Sequence, residues 1–453
     1  MKIWIDIYHV PQFNYYLPLM KELVNRGYDV YLTVLERGRL LKIVTSDLQK
    51  LGLYGNGIEV FCIGKHKMTK WSVIWDANLM RLIKLGIWRK KHPIDVCFTN
   101  GFHAAVWSKL YGNKSYTFGD DPDTFDYYPK MWFATKVHFC LVDRQYISGN
   151  GRELAESVNV TRCLKEWAYL NPRTFVPNEK VLERYGVKPK EYMFLREVSV
   201  GTINYAGQAS GAILGIKEMI PAGMKVLFSL EEKKRREEYP ADWILLQEPI
   251  EDIHSLIYYA AGLVSSGDSM AREAALLGVP SYYLGIRYSM PANAAASKVA
   301  SLQNRKTMPF EKWIDFMVGQ KLPTMTPQLD LEENKNNKNQ TINKKNNLEK
   351  HTELSDACSI PNNIDHISAQ EQALEQPPTQ SCSIDSVAQT LSNNSVQKFV
   401  SLPSTPQNAE NVVIDTQAEI LLKRQQELRA HIDEEFIDIN QYMLELVEGK
   451  QKQ

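Results

Sequence analysis

Residues 260–280 constrain the fold of this chain most, because a buried strand, a tight turn and a helix follow one another there without a gap. Small and apolar residues occupy 260–264, a composition that predicts the end of a buried strand. Residues 270–277 form an uninterrupted run of good helix formers. Gly278 and Pro280 predict the end of that helix, since glycine commonly follows a helix and proline cannot continue one.

The turn between that strand and that helix predicts an anion site. Its residues are Ser266, Gly267, Asp268 and Ser269. The N–H groups of a first helical turn have no partners within the helix, so they can bind a phosphate. We expect Glu273 inside the first turn, where its carboxylate could accept both hydroxyls of a ribose. The alternative is an ordinary strand–helix junction, with a capping serine and a glutamate that suits the helix dipole.

Strands alternate with helices along most of the chain, which is typical of a parallel sheet covered on both faces. A strand over 3–7, a helix over 16–26 and a strand over 30–34 open a first series, and a second series begins near residue 192. At roughly 150 residues per domain, the globular part predicts two domains. We assign a first Rossmann-like domain to 1–165, an interdomain crossing that contains three prolines to 166–190, and a second Rossmann-like domain to 191–325.

The composition changes after residue 325. Asparagine, lysine, serine and glutamine dominate 326–411, which cannot bury enough apolar surface to offset its chain entropy and is predicted to be disordered. Residues 412–449 predict an amphipathic helix. Its heptad positions include Ala418, Gln425, Ile432, Ile439 and Leu446. This spacing indicates a coiled-coil or docking helix, with self-association as one outcome and a solvated tail as the alternative.

The overall composition excludes several classes of function. The formal net charge is zero, so no global field favours nucleic acid. The six cysteines show no metal-ligand or redox spacing, and we expect free thiols, no metal and no cofactor. The first residues are too short and strand-like for a signal peptide, and no apolar run is long enough to span a bilayer. We therefore expect a cytoplasmic protein.

The spacing around Glu273 is similar to a known motif. Ser266-Gly267, five residues, Glu273-Ala274-Ala275, two residues, Gly278, one residue and Pro280 resemble the donor-nucleotide motif of GT-B glycosyltransferases. The N-acetylglucosaminyltransferase that makes lipid II matches this spacing, and UDP-N-acetylglucosamine 2-epimerases carry a version one residue shorter. Residues 4–16 and 163–172 also resemble an uncharacterised prokaryotic domain-of-unknown-function family related to these epimerases. The resemblance implies a GT-B-like fold of two doubly wound Rossmann-type domains facing a cleft, and it does not cover the tail.

The same resemblance implies roles for several further residues. Members of that family often have two histidines in the first loop, where this chain has Gln12 and Asn14, amides that can bind a sugar but cannot titrate near pH 7. His9 is then the titratable base of this loop, or a structural histidine. Arg196, at a strand end before a glycine-containing loop, would contact the diphosphate. His254 would approach the nucleotide base, or lie on a helix surface.

Acidic residues crowd the loop after the predicted strand at 116–118. Asp120 and Asp121 lie in Gly119-Asp120-Asp121-Pro122-Asp123, and close carboxylates can raise one pKa into the range useful for acid–base catalysis. Either residue could deprotonate an acceptor hydroxyl. The alternatives are a cap for the turn before a helix and, third, an oxygen-ligated divalent metal.

Residues 65–91 carry eight lysine and arginine side chains and one aspartate, interleaved with three tryptophans. A basic amphipathic helix with tryptophan can lie on an anionic membrane, at roughly 1 kcal/mol per basic residue. The alternative is a domain helix that packs its apolar face inward. The first interpretation would place the protein peripherally at the inner face of the membrane.

These observations together predict a glycosyltransferase-like enzyme of surface-polysaccharide or glycolipid synthesis. Its donor would be a nucleotide-diphosphate sugar, first of all a UDP-sugar, and its acceptor a carbohydrate or a lipid-linked group. One alternative is a 2-epimerase-like reaction on the same donor. The other is a GT-B-derived binding or scaffold protein without turnover, which the missing loop histidines favour.

Overall fold

The computed structural model of this chain describes residues 1–66, 73–120, 136–141, 158–200, 207–246, 250, 252–287, 291–319 and 406–450. Asp121 and the predicted disordered stretch up to residue 405 lie outside these residues. Residues 1–324 and 412–453 belong to one compact unit, which contains both sheets and the end of the chain.

The first sheet is built from seven parallel strands among the described residues, in the order β3-β2-β1-β4-β5-β6-β7. The strand order reverses between β1 and β4, so the loops after these two strands flank the crevice in which doubly wound sheets bind ligands. The strands are β1 Lys2–Ile7, β2 Asp29–Arg37, β3 Ile58–His66, β4 Val96–Thr99, β5 Lys114–Gly119, β6 Lys136–Leu141 and β7 Val158–Arg162.

The second sheet has six parallel strands within the described ranges, in the order β10-β9-β8-β11-β12-β13. Its order reverses between β8 and β11, so β11 and the turn that follows it lie at the second crevice. The strands are β8 Tyr192–Glu197, β9 Lys225–Leu230, β10 Ile244–Leu245, β11 Gly262–Ser265, β12 Ser281–Tyr283 and β13 Leu302–Asn304. The two doubly wound sheets confirm the predicted fold class.

Helices cover the sheets and close the chain. In chain order they are α1 Val10–Asn25, α2 Leu40–Lys50, α3 Arg81–Lys91, α4 Phe102–Leu110, α5 Trp167–Leu170, α6 Ile253–Tyr258, α7 Asp268–Leu276, α8 Pro291–Val299, α9 Phe310–Gly319, α10 Pro406–Glu435 and α11 Ile439–Glu448. A π-helix, Val73–Met80, leads into α3, and short 3₁₀ turns occur at Glu179–Tyr185, Leu214–Met219 and Lys233–Glu238. Within the described part of the chain, no helix combines the length and apolar character that crossing a bilayer requires.

Helix α1 begins earlier than predicted. We expected it to start at Tyr16, and it starts at Val10. Pro11 lies in its first turn, where a missing N–H costs nothing. Gln12 reaches back and accepts the backbone N–H of Tyr8 at 2.8 Å, which satisfies a donor just outside the helix.

The terminal helices pack on the protein's own core. The predicted helix over 412–449 is interrupted between Glu435 and Ile439, where Asp438 accepts the N–H groups of the next helix at 3.0 and 3.1 Å. Four predicted heptad positions are buried, with exposed fractions of 4% or less: Gln425, Ile432, Ile439 and Leu446. Ile432, Ile439 and Leu446 join one hydrophobic cluster that also contains Ile5 of the first sheet and Leu263 of the second. The heptad face is therefore a docking face within the chain.

Candidate functional site

The strand, turn and helix predicted at 260–280 are present as β11, the turn and α7. Gly267 is the N-cap of α7, with φ −106° and ψ 141°, and α7 ends before Gly278, whose φ is +76°. Ser265 accepts the N–H of Gly267 at 3.0 Å, and its hydroxyl donates to the carbonyl of Gly267 at 2.7 Å. The hydroxyl of Ser266 accepts the backbone N–H of Val198 at 2.9 Å, at the end of the neighbouring strand β8. Both serines therefore hold the turn in shape.

Glu273 lies on α7 with an exposed fraction of 6%. The hydroxyl of Tyr169 donates to its Oε1 at 2.6 Å, and Nε2 of His254 lies 3.6 Å from its Oε2. Burial acts to raise the pKa of Glu273, but the hydrogen bond and charge of His254 and the hydrogen bond of Tyr169 outweigh it, so the net pKa is lowered. The site thus holds an ionised, buried carboxylate. Since α7 begins at Asp268, Glu273 belongs to its second turn and not to the first, as we had expected.

A buried charge network adjoins Glu273. Arg272 is 1% exposed and donates to Glu166 at 2.9 and 3.0 Å, to Asp268 at 3.2 Å and to Asn293 at 2.8 Å. Glu166 precedes α5, so this ion pair joins α5 to α7. Asp268, which was predicted to lie in the turn, is the first residue of α7. It is buried, and its carboxylate forms an ion pair with Arg272.

Asp120 completes the network from the first sheet. It follows β5, its Oδ2 accepts a hydrogen bond from Lys165 at 2.7 Å, and it lies 3.6 Å from Arg272. Burial acts to raise the pKa of Asp120, but the charges of Lys165 and Arg272 lower it further than burial raises it. The prediction that crowded carboxylates raise this pKa is therefore wrong for Asp120. The contact with Arg272 also brings the carboxyl edges of the two sheets together.

The side chains of the first loop already have partners within the protein. His9 is the N-cap of α1, and Nη1 of Arg37 lies 2.8 Å from its Nε2 and 3.2 Å from its Nδ1. Burial, with the charges of Arg37 and Lys165, lowers the pKa of His9 to about 3, so its ring is neutral at pH 7. The side chain of Gln12 is buried and accepts the backbone N–H of Tyr8. Asn14 lies on α1 and is partly buried.

The backbone of Arg196 adjoins the turn, since its carbonyl accepts the N–H of Ser266 at 2.9 Å, but its side chain extends towards β9. Its guanidinium donates to Ser229 at 2.7 Å and forms an ion pair with Glu231. Both partners lie at the end of β9, on the far side of β8 from β11. His254, by contrast, lies beside Glu273 and packs its ring 5.4 Å from that of Tyr169, as a site residue would.

Sequence reasoning missed Tyr169, Glu166 and Arg272 as site residues. Tyr169 and Glu166 lie within the segment 163–172 that carried the family resemblance, which was the available signal. Arg272 lies one residue before Glu273, inside the motif itself. Among the described residues, no cluster of three or more His, Cys, Asp or Glu side chains could hold a metal ion. Asp121 and Asp123, the two aspartates of the metal hypothesis, lie outside the described residues.

Comparison with solved structures finds similar chains. A Listeria monocytogenes protein assigned as a UDP-N-acetylglucosamine 2-epimerase is 12% identical, with a TM-score of 0.52, over 70% of this chain and 88% of that chain. A co-structure of S. aureus MnaA with UDP is 12% identical, with a TM-score of 0.49, over 70% and 87%. Spinosyn forosaminyltransferase SpnP is 12% identical, with a TM-score of 0.47, over 71% and 91%.

The comparisons of sequence, by contrast, give no match. No protein-family model matches the chain, and no curated protein matches it either. The sequence resemblance to the domain-of-unknown-function family is therefore unsupported by a family model. The similarity to the Listeria protein, over 70% of this chain, shows the fold. The chain therefore consists of two Rossmann-like α/β domains arranged as in GT-B proteins, closed by terminal helices.

Proposed function

We propose that this chain binds a nucleoside-diphosphate sugar, first of all a UDP-sugar, at the turn between β11 and α7. The observation that carries the proposal is the ionised Glu273, buried beside a helix N-terminus at the strand-order reversal of the second sheet. The first-turn N–H groups would bind the diphosphate, and Glu273 would accept ribose hydroxyls. Tyr169 and His254 support this by holding the carboxylate in place.

The proposed reaction is glycosyl transfer. The bond between the sugar C1 and the diphosphate oxygen breaks, its electron pair stays on the diphosphate, and an acceptor hydroxyl oxygen forms the new bond to C1. Helix N–H groups stabilise the negative charge on the departing diphosphate. Asp120 is the favoured base for the acceptor proton, because its carboxylate lies at the carboxyl edge of the first sheet and keeps 14% exposure. His9 ranks behind it, since a ring nitrogen is occupied by Arg37.

A non-catalytic nucleotide-binding protein is the second candidate. It is favoured by one observation: both described candidates for the base are already engaged, Asp120 by Lys165 and His9 by Arg37. In that case the nucleotide site would serve as a binding site, and no free nucleotide would be released from any donor.

Calorimetry on the full chain tests the nucleotide site. We expect one of UDP, GDP, CMP and dTDP to bind, and Glu273→Gln to weaken that binding about 10- to 150-fold, since a hydrogen bond to a charged group contributes roughly 1.5–3 kcal/mol. Glu218→Gln, at a side chain that is 87% exposed, is the matched control and should leave the affinity unchanged. Absence of binding by all four nucleotides would reject the site. Release of nucleotide from the corresponding sugar donor then separates transfer from binding alone.

We further propose that the acceptor is reached at an anionic membrane surface. Trp75, Leu79, Ile83 and Ile87 recur every four residues through the π-helix and α3, and each is between 43% and 59% exposed. Lysines 65, 84 and 91 are exposed around them, which suits anionic lipid headgroups.

Vesicle sedimentation tests this surface at low salt. We expect the full chain to sediment with vesicles of anionic phospholipid, and Ile83→Glu to reduce the bound fraction at least fivefold. Val176→Glu, at an apolar residue that is 80% exposed outside this stripe, is the control and should bind as well as the unaltered chain. Equal binding by the two variants would reject the proposed surface.

A further inference from the structure

One side of the single-turn helix α5 contacts the candidate site. Tyr169, within α5, donates to Glu273 at 2.6 Å, and Glu166, just before it, binds Arg272 at 2.9 Å. A four-residue helix cannot hold its own conformation in water, because the first turn of any helix is unfavourable. The position of Tyr169 therefore depends on what packs against α5 from elsewhere.

The terminal helices α10 and α11 supply that packing through polar contacts with the backbone and indole of α5. Arg429 donates to the carbonyl of Leu170 at 2.8 Å, and Asn440 donates to the carbonyl of Ala168 at 2.7 Å. The indole N–H of Trp167 donates to Asp433 at 3.3 Å. Three of the four residues of α5 are thus bonded to the terminal helices, while Tyr169 is bonded to Glu273.

The same helices hold α6 and α7, which carry His254 and Glu273. The side-chain amide of Gln425 donates to the carbonyl of Leu277 at 2.7 Å and to that of Tyr258 at 3.1 Å. Its Oε1 accepts from the ammonium of Lys190 at 2.5 Å. Gly278 lets Gln425 approach, since a Cβ at Gly278 would lie 2.7 Å from Cγ of Gln425.

Arg429 adds a second link to α6. Its guanidinium lies 5.5 Å from the ring centroid of Tyr258 and 5.6 Å from that of Phe175, which are cation–π distances. The ring of Phe175 lies 6.2 Å from that of His254. Gln425, Arg429 and Asp433 are spaced four residues apart, so one face of α10 makes all of these contacts.

We infer that the terminal helices are a positioning element of the nucleotide site, which presses α5 against α7 so that Tyr169 and Glu273 meet. This rests on the proposed nucleotide site. The contacts of α10 and α11 with α5, α6 and α7 described above are made by residues between 425 and 440, so a protein cut after residue 325 would lack this element.

Arg429→Ala in the full chain tests the inference by two measurements. We expect the dissociation constant for UDP to rise about tenfold, and the amides of residues 168–171 to exchange their hydrogens at least tenfold faster. Gln425→Ala, which acts on α7 by a separate contact, should change both quantities in the same direction. Glu427→Ala, at an exposed position between them, is the matched control and should change neither.

A double mutant separates positioning from a general loss of stability. If Arg429 acts through Glu273, then Arg429→Ala should have little further effect on UDP affinity in a Glu273→Gln background. Unchanged exchange at 168–171 in both the Arg429 and Gln425 variants would overturn the inference, as would equal effects of Arg429→Ala in the two backgrounds. If the unaltered chain binds no nucleotide, the proposed function fails, and the exchange measurement alone decides about the positioning element.

Discussion

Replacement of Arg272 by methionine would test how the two halves of the molecule are joined. The guanidinium of Arg272 is buried and lies within 4 Å of three carboxylates, those of Glu166, Asp268 and Asp120, at 2.9, 3.2 and 3.6 Å. Methionine fills a similar volume but carries no charge. The side chains of Glu166 and Asp268, 2% and 5% exposed, would remain without their principal cation.

The expected loss follows from these burials. Removing one partner of a buried ion pair typically destabilises a protein by about 3–5 kcal/mol, because an uncompensated charge stays in a poorly solvated place. Lys165 remains to compensate Asp120, so the loss is expected to come mainly from Glu166 and Asp268. We therefore expect Arg272→Met to lower the free energy of unfolding by about 3–4 kcal/mol at pH 7.

Urea unfolding followed by tryptophan fluorescence measures this loss, since the buried Trp167 directly follows Glu166 in the chain. Arg287→Met is the control: Arg287 lies 3.7 Å from Asp268 with 28% exposure, and its loss should cost less than about 1 kcal/mol. In the double mutant with Glu166→Gln, no charge remains at position 166, and the combined loss should fall short of the sum by at least about 1 kcal/mol. A loss below about 1 kcal/mol for Arg272→Met, or strict additivity, would refute the reasoning.

Three smaller predictions concern single side chains. Burial lowers the pKa of His103 to about 3, so the unfolded chain binds a proton between pH 6.5 and 3 that the folded chain does not. The free energy of unfolding therefore decreases as the pH is lowered through that window. His103→Phe should remove about 2 kcal/mol of the stability difference that urea unfolding finds between pH 8 and pH 5. Gly278→Ala, at φ +76° and 2.9 Å from the carbonyl oxygen of Gln425, should lower the thermal midpoint more than Gly112→Ala, whose added Cβ meets nothing within 4 Å. Gln12→Ala should cost about 1 kcal/mol in urea unfolding, since it leaves the N–H that the side chain accepts at 2.8 Å without its partner.

Local patterns in the sequence predicted the elements of this fold well. The apolar run, the small turn residues and the helix formers at 260–280 specify β11 and α7 by themselves, because each depends only on near neighbours. The start of α1 was placed too late, at Tyr16 and not at Val10. Gln12 is the third residue of this helix, a position that explains its contact with the backbone N–H of Tyr8.

The interactions that assemble the candidate site could not be predicted in the same way. Tyr169 and Glu273 are 104 residues apart, and Glu166 and Arg272 are 106 residues apart. No periodicity connects such positions, so Arg272 looked like an ordinary helix residue next to the glutamate of the motif. The direction of the Asp120 pKa was mistaken for the same reason, because its neighbours in the sequence are acidic and its neighbours in space are Lys165 and Arg272.

The terminal heptad illustrates the intermediate case. Its period predicted a buried face, and Gln425 looked like an exception to it. In the structure this glutamine is 2% exposed and bonded to Lys190 and to two carbonyl groups, so it is the most specific contact of the face. A polar residue at a buried heptad position fixes register at some cost in stability. The heptad pattern thus predicted which face of the helix is buried, but not the surface against which that face packs.

The buried charges at Arg272 and the buried amide at Gln425 have the same consequence for the fold. Apolar side chains in place of all the partners of such a group, and not of one partner alone as in Arg272→Met, could stabilise either region as well, because the desolvation of polar groups offsets much of what their bonds contribute. Apolar packing, however, tolerates sliding, whereas the bonds of Arg272 to Glu166 and of Gln425 to Leu277 are satisfied in one relative position of α5, α7 and α10. Glu273 and Tyr169 lie between these two sets of bonds. If Glu273 accepts ribose hydroxyls as proposed, its carboxylate needs that restriction of position more than it needs additional stability.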